Sequence, residues 1–105
     1  MDGRVVLTDS QRRVLSELAR KYVWWKPPDE ALQYPQRILL QVMNLGDWDD
    51  VLVVEREFDK ESLRQVVRSA EAGQLNPPSW HFWHYRLRLA IRPEDVPPMP
   101  ERRTG

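Results

Sequence analysis

The sequence predicts an all-α fold, a compact bundle of five or six short helices followed by an extended, proline-rich C-terminal tail. Three observations carry that expectation. Apolar residues recur at i, i+3 and i+4 along most of the chain. Helix-starting residues, among them Thr8, Asp9, Asp47 and Asp59, stand just ahead of apolar faces. Proline and glycine separate one face from the next, and neither an internal repeat nor a coiled-coil heptad is present.

Each element follows in order. Thr8 or Asp9 caps a first helix, with Gln11 placed as the capping-box partner of Thr8 and Val14, Leu15, Leu18, Ala19 and Tyr22 as its face. Pro27 and Pro28 require that helix to stop near Trp25 and Lys26. Pro28, Asp29 and Glu30 suit a short helical turn with acids at its positive end. Pro35 opens the next helix, which presents Ile38, Leu39, Val42, Met43 and Leu45, and Gly46 is placed as a left-handed cap. Asp47 starts a further helix with Asp49 and Asp50 in its first turn. Val51–Val54 would also suit a strand, but the acidic cap and short spacing favour helix. Asp59 caps a fifth helix with Leu63, Val66, Val67 and Ala70 inward and Gly73 near its end. Asn76–Ser79 reads as a loop leading into a sixth helix over Trp80–Leu89, with Trp80, Trp83, His84 and Leu87 on one side. The expected organisation is an N-terminal extension over 1–8, one helical domain over 9–92 and a tail over 93–105. An ordered tail must pack on something, and a second copy of the chain is a candidate.

Composition narrows the function. The 105 residues are 41% hydrophobic and 30% charged, near the globular average, so one soluble domain is expected. The absence of cysteine excludes disulfides, zinc–thiolate sites, iron–sulfur centres and thiol catalysis. The opening residues hold no long apolar run, which leaves a cytoplasmic protein without a membrane span as the expectation.

Sixteen basic and sixteen acidic residues cancel, yet they are not evenly spread. Residues 1–26 carry a net +3, residues 27–61 a net −6, residues 62–92 a net +4 and the tail a net −1. Such a layout either steers a charged partner or neutralises itself across the folded surface.

Candidate chemistry is sparse. Asp47, Asp49 and Asp50 fit a helix start better than a cation loop, since Trp48 interrupts them. His81 and His84 lack a third ligand, Ser79 lacks an orienting acid, and the glycines at 3, 46, 73 and 105 form no phosphate loop. No catalytic residue, metal ligand or cofactor is therefore assigned. The aromatics cluster around Tyr22, Trp24 and Trp25 and around Trp80, Phe82, Trp83 and Tyr85, where they fill a core, offer anchors to a partner, or do both. Trp24, Trp25, Trp80, Trp83, His84, Arg86 and Arg88 are the candidate partner-binding residues. The alternative is a nucleic-acid face built on Arg64, Arg68, Arg86 and Arg88, with Arg92 beyond them; the pI of about 6.7 argues against it.

The order of certain segments adds a resemblance. It runs through Trp24–Trp25–Lys26 with Pro27 and Pro28, Ala31–Leu32 and Pro35, Gln41–Gly46, Asp47–Asp50 and Leu63–Val67, and ends at Pro78–Leu87. Over about residues 22–90 the chain resembles a small bacterial family of helical proteins often encoded beside AbiEii-type nucleotidyltransferase toxins. That family has no established catalytic residues to carry over. The resemblance implies an antitoxin-like protein that binds or restrains a neighbouring nucleotidyltransferase. The leading expectation is a non-enzymatic interaction module that acts sterically, by covering a partner's active-site cleft.

Overall fold

A computed structural model describes residues 7–101, and among them the chain is helical without a strand. The helices are α1 (Asp9–Tyr22), α2 (Pro28–Ala31), α3 (Pro35–Leu45), α4 (Trp48–Glu57), α5 (Lys60–Arg68) and α6 (Pro77–Arg86), followed by one 3-10 turn at Pro93–Asp95. The all-α bundle read from the sequence is the fold observed. Residues 1–6 of the expected N-terminal extension and 102–105 of the tail lie outside the described residues.

Helix α3 is the centre, touching α1, α2, α4, α5 and α6. It buries Ile38, Leu39, Leu40, Val42 and Met43, which leaves few positions for polar side chains. Around it, Leu15, Leu18 and Ala19 of α1, Val51 and Val54 of α4, Leu63, Val66 and Val67 of α5, and Trp80 and Trp83 of α6 join the core, together with residues of α2 and the connections such as Ala31, Phe58 and Leu75. Val51–Val54 is helical, as the Asp47 cap required: its carboxylate accepts the Asp50 N–H at 2.9 Å.

Helix starts follow local chemistry. Thr8 and Gln11 form the anticipated capping box, each side chain bonded to the other's backbone N–H at 3.0 Å. Pro28 and Pro35 stand in first turns, where a missing N–H costs nothing. Helix α6 starts earlier than the sequence reading had it. Asn76 is its cap, accepting the Ser79 N–H at 2.9 Å, and Pro77 and Pro78 are its first residues rather than a loop. Asp59 differs as well, since its carboxylate takes the Ser62 hydroxyl instead of a backbone N–H.

Helix ends depart further. Helix α1 stops at Tyr22, not near Trp25, because the Gln41 side-chain amide of α3 donates to the Tyr22 carbonyl at 3.2 Å while Val23 turns inward. Gly46 is not left-handed: its φ of −67° and ψ of 148° are extended, and the glycine is needed for space. Helix α6 ends at Arg86, before the expected Leu89. Arg88 takes a φ of 56°, its N–H donates to the Tyr85 carbonyl at 3.1 Å, and the Leu89 N–H reaches the His84 carbonyl at 2.8 Å. These two bonds are a Schellman closure with arginine in the place glycine usually holds.

The carbonyls that the end of α3 leaves free are taken up by α6. Trp83 Nε1 donates to the Met43 carbonyl at 2.8 Å and Ser79 Oγ to the Asn44 carbonyl at 3.1 Å. The tail is extended apart from its 3-10 turn, but it is not a free appendage. Val96 and Met99 pack against the core and Trp80 Nε1 donates to the Pro97 carbonyl at 2.8 Å.

Candidate interaction surface

Three of the aromatic and histidine candidates are interior. Trp80 (6% exposed), Trp83 (1%) and His84 (4%) share one side of α6 as the spacing said, but that side faces the core. The correction has a simple cause. Bulk this size removes most water-accessible area when buried, and each indole finds a carbonyl, Trp83 that of Met43 in the core and Trp80 that of Pro97 in the tail. His84 lies 4.3 Å from the Trp80 ring and places Nδ1 2.7 Å from the Trp80 carbonyl, so it packs the helix and offers a partner nothing.

The opposite face of α6 is where the surface chemistry lies. Phe82 and Arg86 are one helical turn apart, and on α4 Trp48 and Glu55 are two turns apart, so each pair shares a face. Packing brings the two faces together. The Arg86 guanidinium lies 4.7 Å from the Trp48 ring centroid and 5.7 Å from that of Phe82. Its Nε and Nη2 reach the two Glu55 carboxylate oxygens at 2.5 and 2.7 Å. That two-pronged ion pair fixes the guanidinium plane and raises the Arg86 pKa further above its usual range. Trp48 stays 52% exposed and Phe82 41%, with Tyr85, next to Arg86 in sequence, also exposed. The result is two accessible aromatic rings held by a neutralised arginine, a surface with low rotamer freedom left to lose.

The flank of this surface is tied down by α1. Lys21 Nζ bonds Asp47 at 2.9 Å and Asp50 at 2.8 Å, and the Tyr22 hydroxyl donates to Asp50 at 2.5 Å. The two carboxylates push the Lys21 pKa well above its usual value, and Lys21 holds Asp47 below the ordinary carboxylate range. Partial burial, then the bond to Asp50, raises Tyr22. Trp48, next to Asp47, therefore stands on a fixed platform.

Trp24 and Trp25 form a second exposed group in the α1–α2 turn, edge to face at 5.8 Å, with Trp24 74% exposed. They are the sequence-chosen aromatic anchors that the structure leaves available. Nearby in the chain, Tyr34 carries the Arg37 guanidinium at 4.5 Å and borders a polar cleft of about 920 Å³ with Arg12, Asp29 and Glu71. Ser69, which also lines the cleft, donates its hydroxyl to the Val66 carbonyl at 2.8 Å.

The arginines of the alternative face do not form one free basic strip. Arg64 Nε caps the end of α6 at the Leu87 carbonyl, 2.7 Å away, and Arg64 and Arg68 both lie 3.4 Å from Glu61, whose pKa they lower. Arg86 is committed to Glu55. Arg88 is exposed in its left-handed position, and Arg92 pairs with Glu94 and Asp95 at 3.5 Å. Trp48 and Glu55 were absent from the sequence-based candidates, and Phe82 was counted in the aromatic cluster but not among the named partner-binding residues. Phe82 could have been found by its one-turn spacing from Arg86; Trp48 and Glu55 meet α6 only through tertiary packing.

No family model, curated protein or solved structure matches the chain. Among the described residues no three His, Cys, Asp or Glu side chains group as a metal site, and no helix is long and apolar enough to cross a membrane.

Proposed function

We propose that the protein is a non-enzymatic, cytoplasmic interaction module that binds a protein partner through the α4–α6 face. The supporting observation is the Trp48–Arg86–Phe82 stack, two exposed rings preset around an arginine already neutralised by Glu55. Tryptophan and arginine in such settings dominate the energy of protein interfaces. The sequence resemblance supplies the partner in this reading, a neighbouring AbiEii-type nucleotidyltransferase that an antitoxin-like chain covers sterically.

The test is co-expression with the neighbouring gene product, followed by affinity measurement. Trp48→Ala and Phe82→Ala, both at exposed positions, are expected to leave the helical spectrum unchanged. Each should weaken the complex by about 30-fold or more, the ratio that marks an interface hot spot. Trp24→Ala serves as the comparison at the second aromatic group. A complex insensitive to Trp48 and Phe82, or no complex at all, overturns the proposal. Binding to nucleic acid with a steep salt dependence would favour the arginine alternative instead.

A further inference from the structure

The attachment of the tail is unusual in its economy. Between Pro93 and Pro100 no residue is fully buried, and Pro93, Pro97, Pro98 and Pro100 have no backbone N–H to donate. The backbone bonds that the segment makes are internal, from Asp95 N to the Arg92 carbonyl and from Val96 N to the Pro93 carbonyl. Its one hydrogen bond to the helical domain is the 2.8 Å bond from Trp80 Nε1 to the Pro97 carbonyl, with Val96 and Met99 resting against the core on either side.

An indole N–H donated to a prolyl carbonyl, flanked by apolar contacts, is the chemistry by which aromatic grooves recognise proline-rich segments. We propose that the Trp80 slot on α6 is such a receptor, filled here by the chain's own tail, and that a second copy's Val96–Met99 segment takes the same seat in a tail-exchanged dimer. Exchange recreates every contact of the closed form, so it loses only association entropy. Opening the seat leaves the Trp80 N–H without its acceptor, which drives recapture of a tail from either copy. The connection suits a hinge. Ile91, 85% exposed, is unpartnered in the closed chain and lies between the end of α6 and the 3-10 turn, where exchange would bring two copies together. The cis tail competes at an effective concentration of about millimolar, so the full-length protein is expected to dimerise only at high concentration.

Two full-length variants test this. Trp80→Phe keeps an aromatic ring but removes the donor, giving a slot-defective chain with an intact tail. Val96→Asp with Met99→Asp gives a tail-defective chain with an intact, vacated slot; both positions are only partly buried, so the helical domain survives. Circular dichroism checks both folds. Light scattering after mixing should show a one-to-one heterodimer that associates more than tenfold more tightly than either variant alone, or than the unaltered chain, because no cis tail competes. A mixture no more associated than its components overturns the proposal. Equal self-association of each variant also overturns it, because that locates the contact elsewhere.

Discussion

Arg88 is a single residue that fixes where α6 ends. With a φ of 56° it holds the left-handed position of a Schellman closure, a conformation that costs an L residue with a Cβ roughly 1–2 kcal/mol. Glycine removes that cost but gains freedom in the unfolded chain, which takes back about 0.5–1 kcal/mol. Arg88→Gly is therefore expected to stabilise the protein by about 0.5–1 kcal/mol. Urea denaturation should show a higher midpoint with an unchanged slope, and a lower midpoint would contradict the assignment. The same scale separates identical side chains. Trp83 and Trp48 have equal apolar bulk, yet Trp83 finds the orphan Met43 carbonyl inside while Trp48 follows a solvent-facing cap. Residue type alone marks neither as core or surface.

Elements show why starts are easier to read than ends. A start is local chemistry: Thr8 with Gln11, Asp47 ahead of Asp50, and Pro28 and Pro35 in first turns are all within four residues of what they cap. An end depends on what the rest of the molecule claims. Gly46 illustrates this, since a Cβ there would lie 2.4 Å from the Val42 carbonyl oxygen and 3.0 Å from a Val42 methyl carbon. Gly46→Ala is expected to destabilise by about 1–3 kcal/mol through overpacking, although its φ suits alanine. Thermal unfolding checks it, and an unchanged Tm would mean the α3–α4 corner yields freely. The left-handed cap expected at Gly46 was thus the right residue for the wrong reason. Similarly, the grouping of Trp80, Trp83 and His84 on one side of α6 was legible from spacing, whereas which side faced inward was not. A helix bulky all round gives little contrast between its faces. Arg86 could be chosen from its aromatic neighbours, but Glu55 and Trp48 join it only because α4 packs beside α6.

At the scale of the whole molecule, part of the basic–acidic–basic layout is paired internally. Lys21 of the first block pairs with Asp47 and Asp50 of the second. Arg86, Arg64 and Arg68 of the third pair with Glu55 and Glu61 of the second. Lys21 with Asp47 and Asp50, and Arg86 with Glu55, join blocks far apart in sequence across the fold, whereas Arg64 and Arg68 meet Glu61 within α5. Both kinds of pair reduce the cationic surface left for phosphate. This pairing predicts a pH profile. Asp47 and Glu61 are held below ordinary carboxylate values by Lys21 and Arg64, so in acid the unfolded chain binds more protons than the folded one. Their contribution is complete above about pH 4.5 and is lost as pH falls through the lowered folded values. Lys21 and Tyr22 are raised, so their contribution is complete below about pH 10 and is lost as pH rises through the folded values. Stability should form a plateau between those limits and fall on both sides. Lys21→Met should lower the plateau and flatten both shoulders, while added salt should mimic it in part because Lys21 and Asp47 are solvent-exposed. Denaturant midpoints measured from about pH 3 to pH 11 test this, and a Lys21→Met profile parallel to that of the unaltered chain would show that the α1–α4 network does not link folding to pH.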